Sequence, residues 1–312
     1  MTLENLEYFL VAAEELNFTE AARRLFITQQ TLSSHISRIE KYYGIKLFDR
    51  KPPMSLTPEG VELEKRVREI IRMADDTKKV MQDLKDYTMT SVTVGITGNR
   101  GRIYFPPVIR KFHELYPNIR INISEGSVDE VEDAMHQGKV DFSVSTFPRY
   151  TYNVKSIPFW TERLAAAIPQ RIMEKYLADS RDKLLADPGH ADWKLLEACP
   201  FIALAPTIRS GMPFYQICQE LGIRPNIILE GKSADALVPI CMDGMGVLVC
   251  PDIFFYPYRQ MMKLGNQRVY ILTQEEHLSQ DICVNYLKNK YLSAASRAFI
   301  HILRNESYAV NN

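Results

Sequence analysis

The sequence predicts an α/β chain in three parts: an N-terminal all-α winged helix-turn-helix, a long linker helix, and a two-subdomain α/β domain. Three observations carry this. Residues 17–57 (NFTEAARRLFITQQTLSSHISRIEKYYGIKLFDRKPPMSLT) set two short helical patterns across a tight turn, followed by a Gly stop and a strand-like run rich in Pro and basic residues. The next stretch, to about Met89, repeats apolar positions at alternating spacings of four and three. From Ser91 onward strand-like and helix-like segments alternate, the pattern of a mostly parallel sheet covered by helices. The expected boundaries are 1–58, 59–90 and 91–312, with the last part divided into 91–162 plus 268–312 and 163–267.

Leu3, Leu6, Phe9, Leu10 and Ala13 recur at helical spacing and give a first helix with one apolar stripe. Asn17 and Thr19 have side-chain oxygens suited to the free N–H groups at the next helix start. Ala21, Ala22 and Leu25 make a short second helix whose small side chains allow another helix to cross closely. Phe26 and Ile27 occupy the turn, and Thr28 is placed to cap the third helix. That helix turns Leu32, Ile36 and Ile39 inward and leaves Gln29, Gln30, Thr31, Ser33, Ser34, His35, Ser37 and Arg38 for its outer faces. Gly44 ends it, because glycine accepts the left-handed conformation past a helix C-terminus.

The outward residues have the chemistry of a base reader. Gln presents a donor and an acceptor to adenine, Ser and Thr are short adaptable partners, and Arg forks onto guanine or reaches phosphate. Whole-chain charge gives no support, since Lys+Arg 38 balances Asp+Glu 38. The distribution does. Residues 21–51 hold Arg23, Arg24, Arg38, Lys41, Lys46, Arg50 and Lys51 against Glu40 and Asp49, whereas residues 1–20 hold five Glu and no Lys or Arg. A local basic face suffices for phosphate contact. Periodicity alone fits an ordinary helical hairpin with a solvated charged face equally well.

Thr57 and Pro58 have the form of an N-cap and a first-turn Pro. The helix that follows carries the seam Leu63, Val67, Ile70, Ala74, Thr77, Met81, Leu84 and Thr88, and is otherwise heavily charged. Either it packs on its own domain or it pairs with a second chain; its length and its place between two domains favour pairing.

In the last part, VTVGIT, IRINISEG and VDFSVSTF read as strands, with helices over Phe105–Tyr116 (started by Pro106 and Pro107) and Val128–Gln137. LAAAI, PFIALAP, NIILEG and VLVCP form a second such unit, with helices over Met212–Leu221 and Ser233–Met242. RVYIL is expected to lead back to the first unit, where ICVNYL and a helix over Ser293–Arg304 close the chain. Two crossings leave a cleft. Ligands of such sheets bind beyond the carboxyl ends of the strands, here the loops at 97–102, 126–128 and 145–147.

Composition narrows the function classes. At 312 residues with 46% hydrophobic content, two or three folded units with proper cores are expected. No apolar run approaches membrane-spanning length, and the first 20 residues carry no basic segment of a signal peptide, so a cytoplasmic protein is expected. Five cysteines (Cys199, Cys218, Cys241, Cys250, Cys283) show no metal-type spacing and read as reduced, buried thiols. The six histidines show no ligand spacing, so no metal site and no cofactor are expected. GNRGR lacks the spacing of a phosphate-cradling loop, and Ser127 and Ser210 lack a nucleophile elbow, so no catalytic residues are assigned. An enzyme with an accessory DNA-binding domain, and a redox switch through Cys199 and Cys218, remain as alternatives.

FTEAARRL, then TQQTLSSHISRIEKYYGIKLFDR, then LTPEG resembles the N-terminal segment of LysR-type transcriptional regulators. FPPVIRKFHELYPNIRI, GKVDFSV, LVPICMDGMGVLVCP and YLSAASRAFIHIL are similar to the same family's effector domain, built like periplasmic binding proteins, so the resemblance spans nearly the whole chain. There are departures: Gln30 stands where Pro is usual, Ser34 and His35 where Arg and Gln often follow, and the wing KPPMSLT lacks a central Arg. A stretch near Lys175–Trp193 is longer and more charged than usual at this point.

The resemblance implies a transcriptional regulator, not an enzyme, that binds double-stranded DNA, responds to a small-molecule effector and acts on RNA polymerase. It implies a homodimer through the linker helix and assembly to a tetramer. Gln29, Gln30, Thr31, Ser33, Ser34 and Arg38 are expected at base edges or adjacent phosphates, with Arg50 and Lys51 of the wing at the backbone or minor groove. Carried over by position, the effector site comprises Thr97, Gly98, Asn99, Arg100, Ser127, Val128, Thr146, Thr207 and Arg209, with Ser210 beside them. Hydroxyls, N–H groups and Arg at converging loops suit an anion. Alternatively Arg100 or Arg209 is a solvent-facing charge beside a pocket for a neutral ligand.

Overall fold

The computed structural model describes residues 1–86, 91–263, 268–273 and 279–306. The chain divides into two compact units, Met1–Met89 with Asn289–Ala294, and Thr90–Lys288 with Ala295–Asn312.

The first unit opens with α1 (Leu3–Glu15), α2 (Phe18–Arg24) and α3 (Gln29–Tyr43), at the places the caps predict. Asn17 Oδ1 accepts from Thr19 N and Glu20 N at the start of α2, and Thr28 Oγ1 accepts from Thr31 N at the start of α3. Gly44 terminates α3 at φ +69°, in the left-handed region. Phe9, Leu32, Ile36 and Ile39 are wholly buried in the core that joins the three helices. A two-stranded wing follows, β1 (Phe48–Asp49) antiparallel to β2 (Ser55–Leu56).

Next comes α4 (Pro58–Asp86). Its start is pressed against the wing: a Cβ on Gly60 would lie 2.2 Å from the Leu47 carbonyl oxygen, so only glycine fits there. The expected seam divides. Leu63 and Val67 are buried in the core of their own unit, Ala74 is half-buried, and Ile70, Thr77 and Met81 are exposed. The side chain of Leu84, and Thr88 and Met89 altogether, lie outside the described residues.

Among the described residues the second unit holds one nine-stranded sheet in two halves, joined by the long strand β6 (Val154–Pro169). One half holds β3 (Ser91–Ile96) parallel to β4 (Arg120–Glu125) and to β5 (Phe142–Thr146), with β11 (Ser279–Leu287) antiparallel between β5 and the first part of β6. The other holds β7 (Pro200–Leu204) parallel to β8 (Asn226–Gly231) and to β9 (Val247–Pro251), with β9 and β10 (Val269–Thr273) antiparallel to the end of β6. β6 pairs with β11 up to Arg163 and with β9 from Leu164, so the first crossing falls within a single strand. β10 pairs with Ala165–Pro169, which places it on the second half; the return to the first half falls after Thr273, not at residue 268. That strand follows its hydrogen-bond ladder, which sequence order does not reveal.

Helices cover the sheet: α5 (Gly98–Leu115), α6 (Val128–His136), α7 (Gln170–Tyr176), α8 (Arg181–Ala186), α9 (Met212–Leu221), α10 (Ala234–Met242) and α11 (Ala294–Glu306). Two corrections concern function. α5 does not begin at Pro106; it begins at Gly98 and carries Pro106 and Pro107 in its interior. Two missing N–H donors weaken a helix, but Ile103, Tyr104, Phe105, Val108 and Phe112 are buried on both sides of the prolines and hold it continuous. Hence the expected loop at 97–102 is mostly the first turn of a helix. The charged stretch before Trp193 is not a loose insertion: Leu184, Ala191 and Trp193 are core residues of the second half.

Candidate functional site

On the DNA-reading unit, α3 presents Gln29, Gln30, Thr31, Ser34 and Arg38 exposed, with Ser33 half-buried. Thr31 is partly committed, its hydroxyl sharing a 2.8 Å hydrogen bond with Thr28 Oγ1. His35 turns away from the outer face: its ring meets Tyr8 edge-on at 4.8 Å and Nδ1 bonds Asn5 Oδ1. Three residues after Leu32 and four before Ile39, His35 borders the apolar stripe and is drawn under α1, where Tyr8 and Asn5 supply an aromatic edge and an acceptor. In the wing Lys51 is exposed, while Arg50 lies over the Phe18 ring at 5.2 Å and 3.9 Å from Glu40.

Glu40 is the residue that sequence reading undervalued. It is buried, accepts the Leu47 N–H at 3.0 Å and receives Lys46 Nζ at 3.1 Å. One carboxylate on the recognition helix therefore fixes the chain that becomes the wing. The available signal was an acid inside the apolar face of α3, at 40 after Ile36 and Ile39.

The basic face is also smaller than composition suggests. Arg23 pairs with Glu20, Arg24 with Glu14 and Glu15, and Lys46 and Arg50 face Glu40. Among the described residues, Arg38, Lys41 and Lys51 are exposed without such pairs.

In the second unit the expected effector residues separate into engaged and available groups. Arg100 is the main correction. It is neither a ligand anchor facing the cleft nor a solvent-facing charge, but a buried cation locked to Glu162, with Nε–Oε1 2.8 Å and Nη2–Oε2 2.7 Å. Its Nη1 donates to Thr97 Oγ1 at 3.3 Å, and Phe254 lies 5.7 Å from the guanidinium. Tyr104 OH donates to the same Glu162 oxygen as Nε. Burial alone would lower the Arg100 pKa, but the Glu162 carboxylate outweighs it and the net shift is upward. Burial, then Glu162, pushes the Tyr104 phenol well above its usual value, so it stays a donor. Glu162 sits where β6 passes between the two half-sheets, so this cluster stiffens the crossing. Its partner 62 residues away carries no local sequence signal.

Ser127 is spent on its own helix. Its hydroxyl accepts from Glu130 N, and its N–H donates to Glu130 Oε2 at 2.7 Å, a capping box that pulls the Glu130 pKa down. The S-x-x-E spacing was legible. Gly98, Asn99, Val128 and Thr207 remain at least partly open. Arg209 reaches across the cleft: Nη1 donates to Thr146 Oγ1 at 3.1 Å and Nη2 to Glu132 Oε2 at 3.1 Å, with Asp129 at 3.5 Å. Ser210, next in the chain, is half-buried. A cavity of about 600 Å³ opens beside this clasp and is lined by Thr146 and Arg209, together with Arg149, which the sequence reading did not select.

All five cysteines are free and buried. Burial pushes Cys199 and Cys218 up to about 11 and Cys241 and Cys283 up to about 12, which leaves little thiolate for a redox switch. Among the described residues no His/Cys/Asp/Glu group has the arrangement of a metal site, and no helix is long and apolar enough to cross a membrane.

A recognition helix with an open polar face, a wing fixed to it, and a two-half sheet domain with a cleft define a DNA-binding transcriptional regulator with an effector-binding domain. Residues 3–61 match the bacterial regulatory helix-turn-helix protein model of the lysR family, and residues 86–307 match the LysR substrate binding domain model. The chain belongs to the LysR family of transcriptional regulators. It is not an enzyme. Among its relatives is the HTH-type transcriptional regulator YcgK of Bacillus subtilis, 27% identical over 97% of this chain and 94% of that protein. AlsR of the same organism is 25% identical over 97% of this chain and 95% of that protein. Similar solved structures include full-length OxyR from Pseudomonas aeruginosa (TM-score 0.65, 21% identity, 98% of this chain and 94% of that one). Full-length CbnR complexed with its target DNA is another (TM-score 0.59, 19% identity, 98% and 99%).

Proposed function

We propose that this regulator reads its operator through the outer face of α3, with Gln29, Gln30, Thr31, Ser33, Ser34 and Arg38 at bases or adjacent phosphates and Arg50 and Lys51 at the backbone or minor groove. The observation that carries this is the row Gln29, Gln30, Ser34 and Arg38, exposed on α3 beside a wing that Glu40 holds in register. An amide or guanidinium that is solvated in the free protein exchanges water for a base edge at little reorganisation cost.

Two copies pair through α4. Ile70, Met73 and Met81 support this, since large apolar side chains at 40%, 68% and 56% exposure on one helix call for a partner. Further pairing into a tetramer draws on the sheet edges, where β4 exposes Ile123 and β8 exposes Ile228. The protein works in the cytoplasm, where its five buried thiols stay reduced.

A small effector binds between the two half-sheets, where Gly98, Asn99, Val128, Thr146, Thr207 and Arg209 supply contacts, and Thr97, Arg100 and Ser127 shape the floor. Binding acts through a difference in affinity between two arrangements of the regulator, and so alters its engagement of DNA and of RNA polymerase. Selection of the full-length protein against a random duplex library tests the reading. One enriched motif with two related half-sites is expected; no enrichment at moderate salt would overturn it.

A further inference from the structure

The cavity beside Arg209 has a charge pattern that defines its ligand more closely than the family does. Arg209 comes from the loop before α9 and Arg149 from the segment after β5, and the Nη2 of each lies 3.5 Å from the same Asp129 oxygen. Asp129 and Arg149 are more than half exposed, so that contact is readily exchanged, whereas Glu132 holds Arg209 from behind and is itself buried. Asp281, at the start of β11, also lines the cavity, with one oxygen taking the Thr161 hydroxyl at 2.7 Å. Phe147, Met212 and Pro213 supply an apolar wall, with Phe147 and Met212 about half exposed.

Of the residues that line the cavity, Arg149, Arg209 and Asp281 carry charge, while Asp129 and Glu132 engage the guanidiniums beside it. A plain anion entering this space gains the arginines but lies in the same cavity as the Asp281 carboxylate. A ligand with a carboxylate at one end and an ammonium at the other satisfies both ends. We propose that this cavity binds an amino acid with an apolar side chain. Its carboxylate replaces Asp129 between Arg149 and Arg209, its ammonium meets Asp281, and its side chain lies on Phe147 and Met212. A bidentate guanidinium–carboxylate contact supplies orientation as well as affinity. Asp281 supplies discrimination, because a ligand without the ammonium leaves its charge with the Thr161 hydroxyl alone and no cation. This rests on the ligand-responsive reading above and narrows it to one chemistry.

The test is calorimetric titration of the full-length protein with leucine, methionine and phenylalanine. 4-Methylpentanoate (leucine without its amine), 3-methylbutylamine (leucine without its carboxylate) and glutamate are the comparators. At least one of the three amino acids is expected to bind saturably, and each comparator about tenfold more weakly or less. Arg149→Gln should weaken the amino acid about tenfold, and Asp281→Asn should bring leucine and 4-methylpentanoate to similar affinity. Both positions are at least partly exposed, so unchanged melting temperatures of the free variants will certify their folds. Binding by none of the three, equal binding of the amine-free acid to the parent, or indifference to both substitutions would overturn the proposal. Should another small molecule alter operator binding while all three amino acids fail, the ligand-responsive reading stands and this assignment falls.

Discussion

Substituting Glu162 by Gln leaves the Arg100 guanidinium buried without its counter-charge. Arg100 and Glu162 are 3% and 1% exposed and joined by two hydrogen bonds under 3 Å, so neither can turn to water when the other is lost. Breaking such a pair from one side costs about 3–5 kcal/mol. In a folded unit of this size each kcal/mol moves the melting temperature by roughly 2–4 °C, so Glu162→Gln should lower it by roughly 6–20 °C. The double variant Arg100→Met, Glu162→Leu removes both charges and should recover most of that loss. It retains a deficit of about 1 kcal/mol because Tyr104 OH loses its acceptor. Thermal and urea unfolding of the parent, Arg100→Met, Glu162→Leu and the double variant measures the coupling. Losses in the single variants below about 1 kcal/mol, or a double variant as unstable as the sum of the two, would refute the buried pair. A role of Arg100 in holding a ligand predicts the reverse: parent-like stability and a large loss of effector affinity.

Three further outcomes follow from the geometry. Glu40→Ala strands the Leu47 N–H and frees the wing; the DNA-reading unit should lose about 1–3 kcal/mol of stability, and specific DNA binding should fall more than unfolding alone explains. If Arg38, Lys41, Arg50 and Lys51 meet phosphates, log K against log salt should slope at roughly −4 per protomer; engagement of all seven basic residues would steepen it to roughly −6. With Cys199 and Cys218 pushed to about 11, iodoacetamide should label the native protein very slowly at pH 8, and mild peroxide should leave DNA affinity unchanged. Rapid loss of free thiol or a peroxide-dependent affinity would restore the redox alternative.

The helix-turn-helix was legible because its signals are local. Asn17, Thr28 and Gly44 act on N–H and C=O groups within a few residues, and Leu32, Ile36 and Ile39 report one face of one helix. The strands were legible for the same reason, from short apolar runs such as NIILEG and VLVCP. Long-range pairings were not. Arg100 looked like a loop cation because GNRGR reads as a turn, whereas it is in the first turn of α5 and its acid lies on β6. β10 was set in the wrong half because only its ladder with β6 fixes its place. Leu63 and Val67 follow a coiled-coil interval yet serve the core of their own unit, since periodicity shows which face is apolar and not what covers it. Arg149 was passed over because an isolated Arg after a strand is ordinary; only its convergence with Arg209 on Asp129 distinguishes it.

The account turns on whether α3 touches bases, and fluorescence anisotropy on the selected operator and a scrambled duplex decides that most directly. Gln29→Ala should lose about 1–3 kcal/mol on the operator, accept substitutions at one base pair per half-site and keep its affinity for scrambled DNA, while Lys51→Ala weakens both duplexes alike. Equal losses on the two duplexes for Gln29→Ala would show that this face holds only the phosphate backbone and would contradict the assignment.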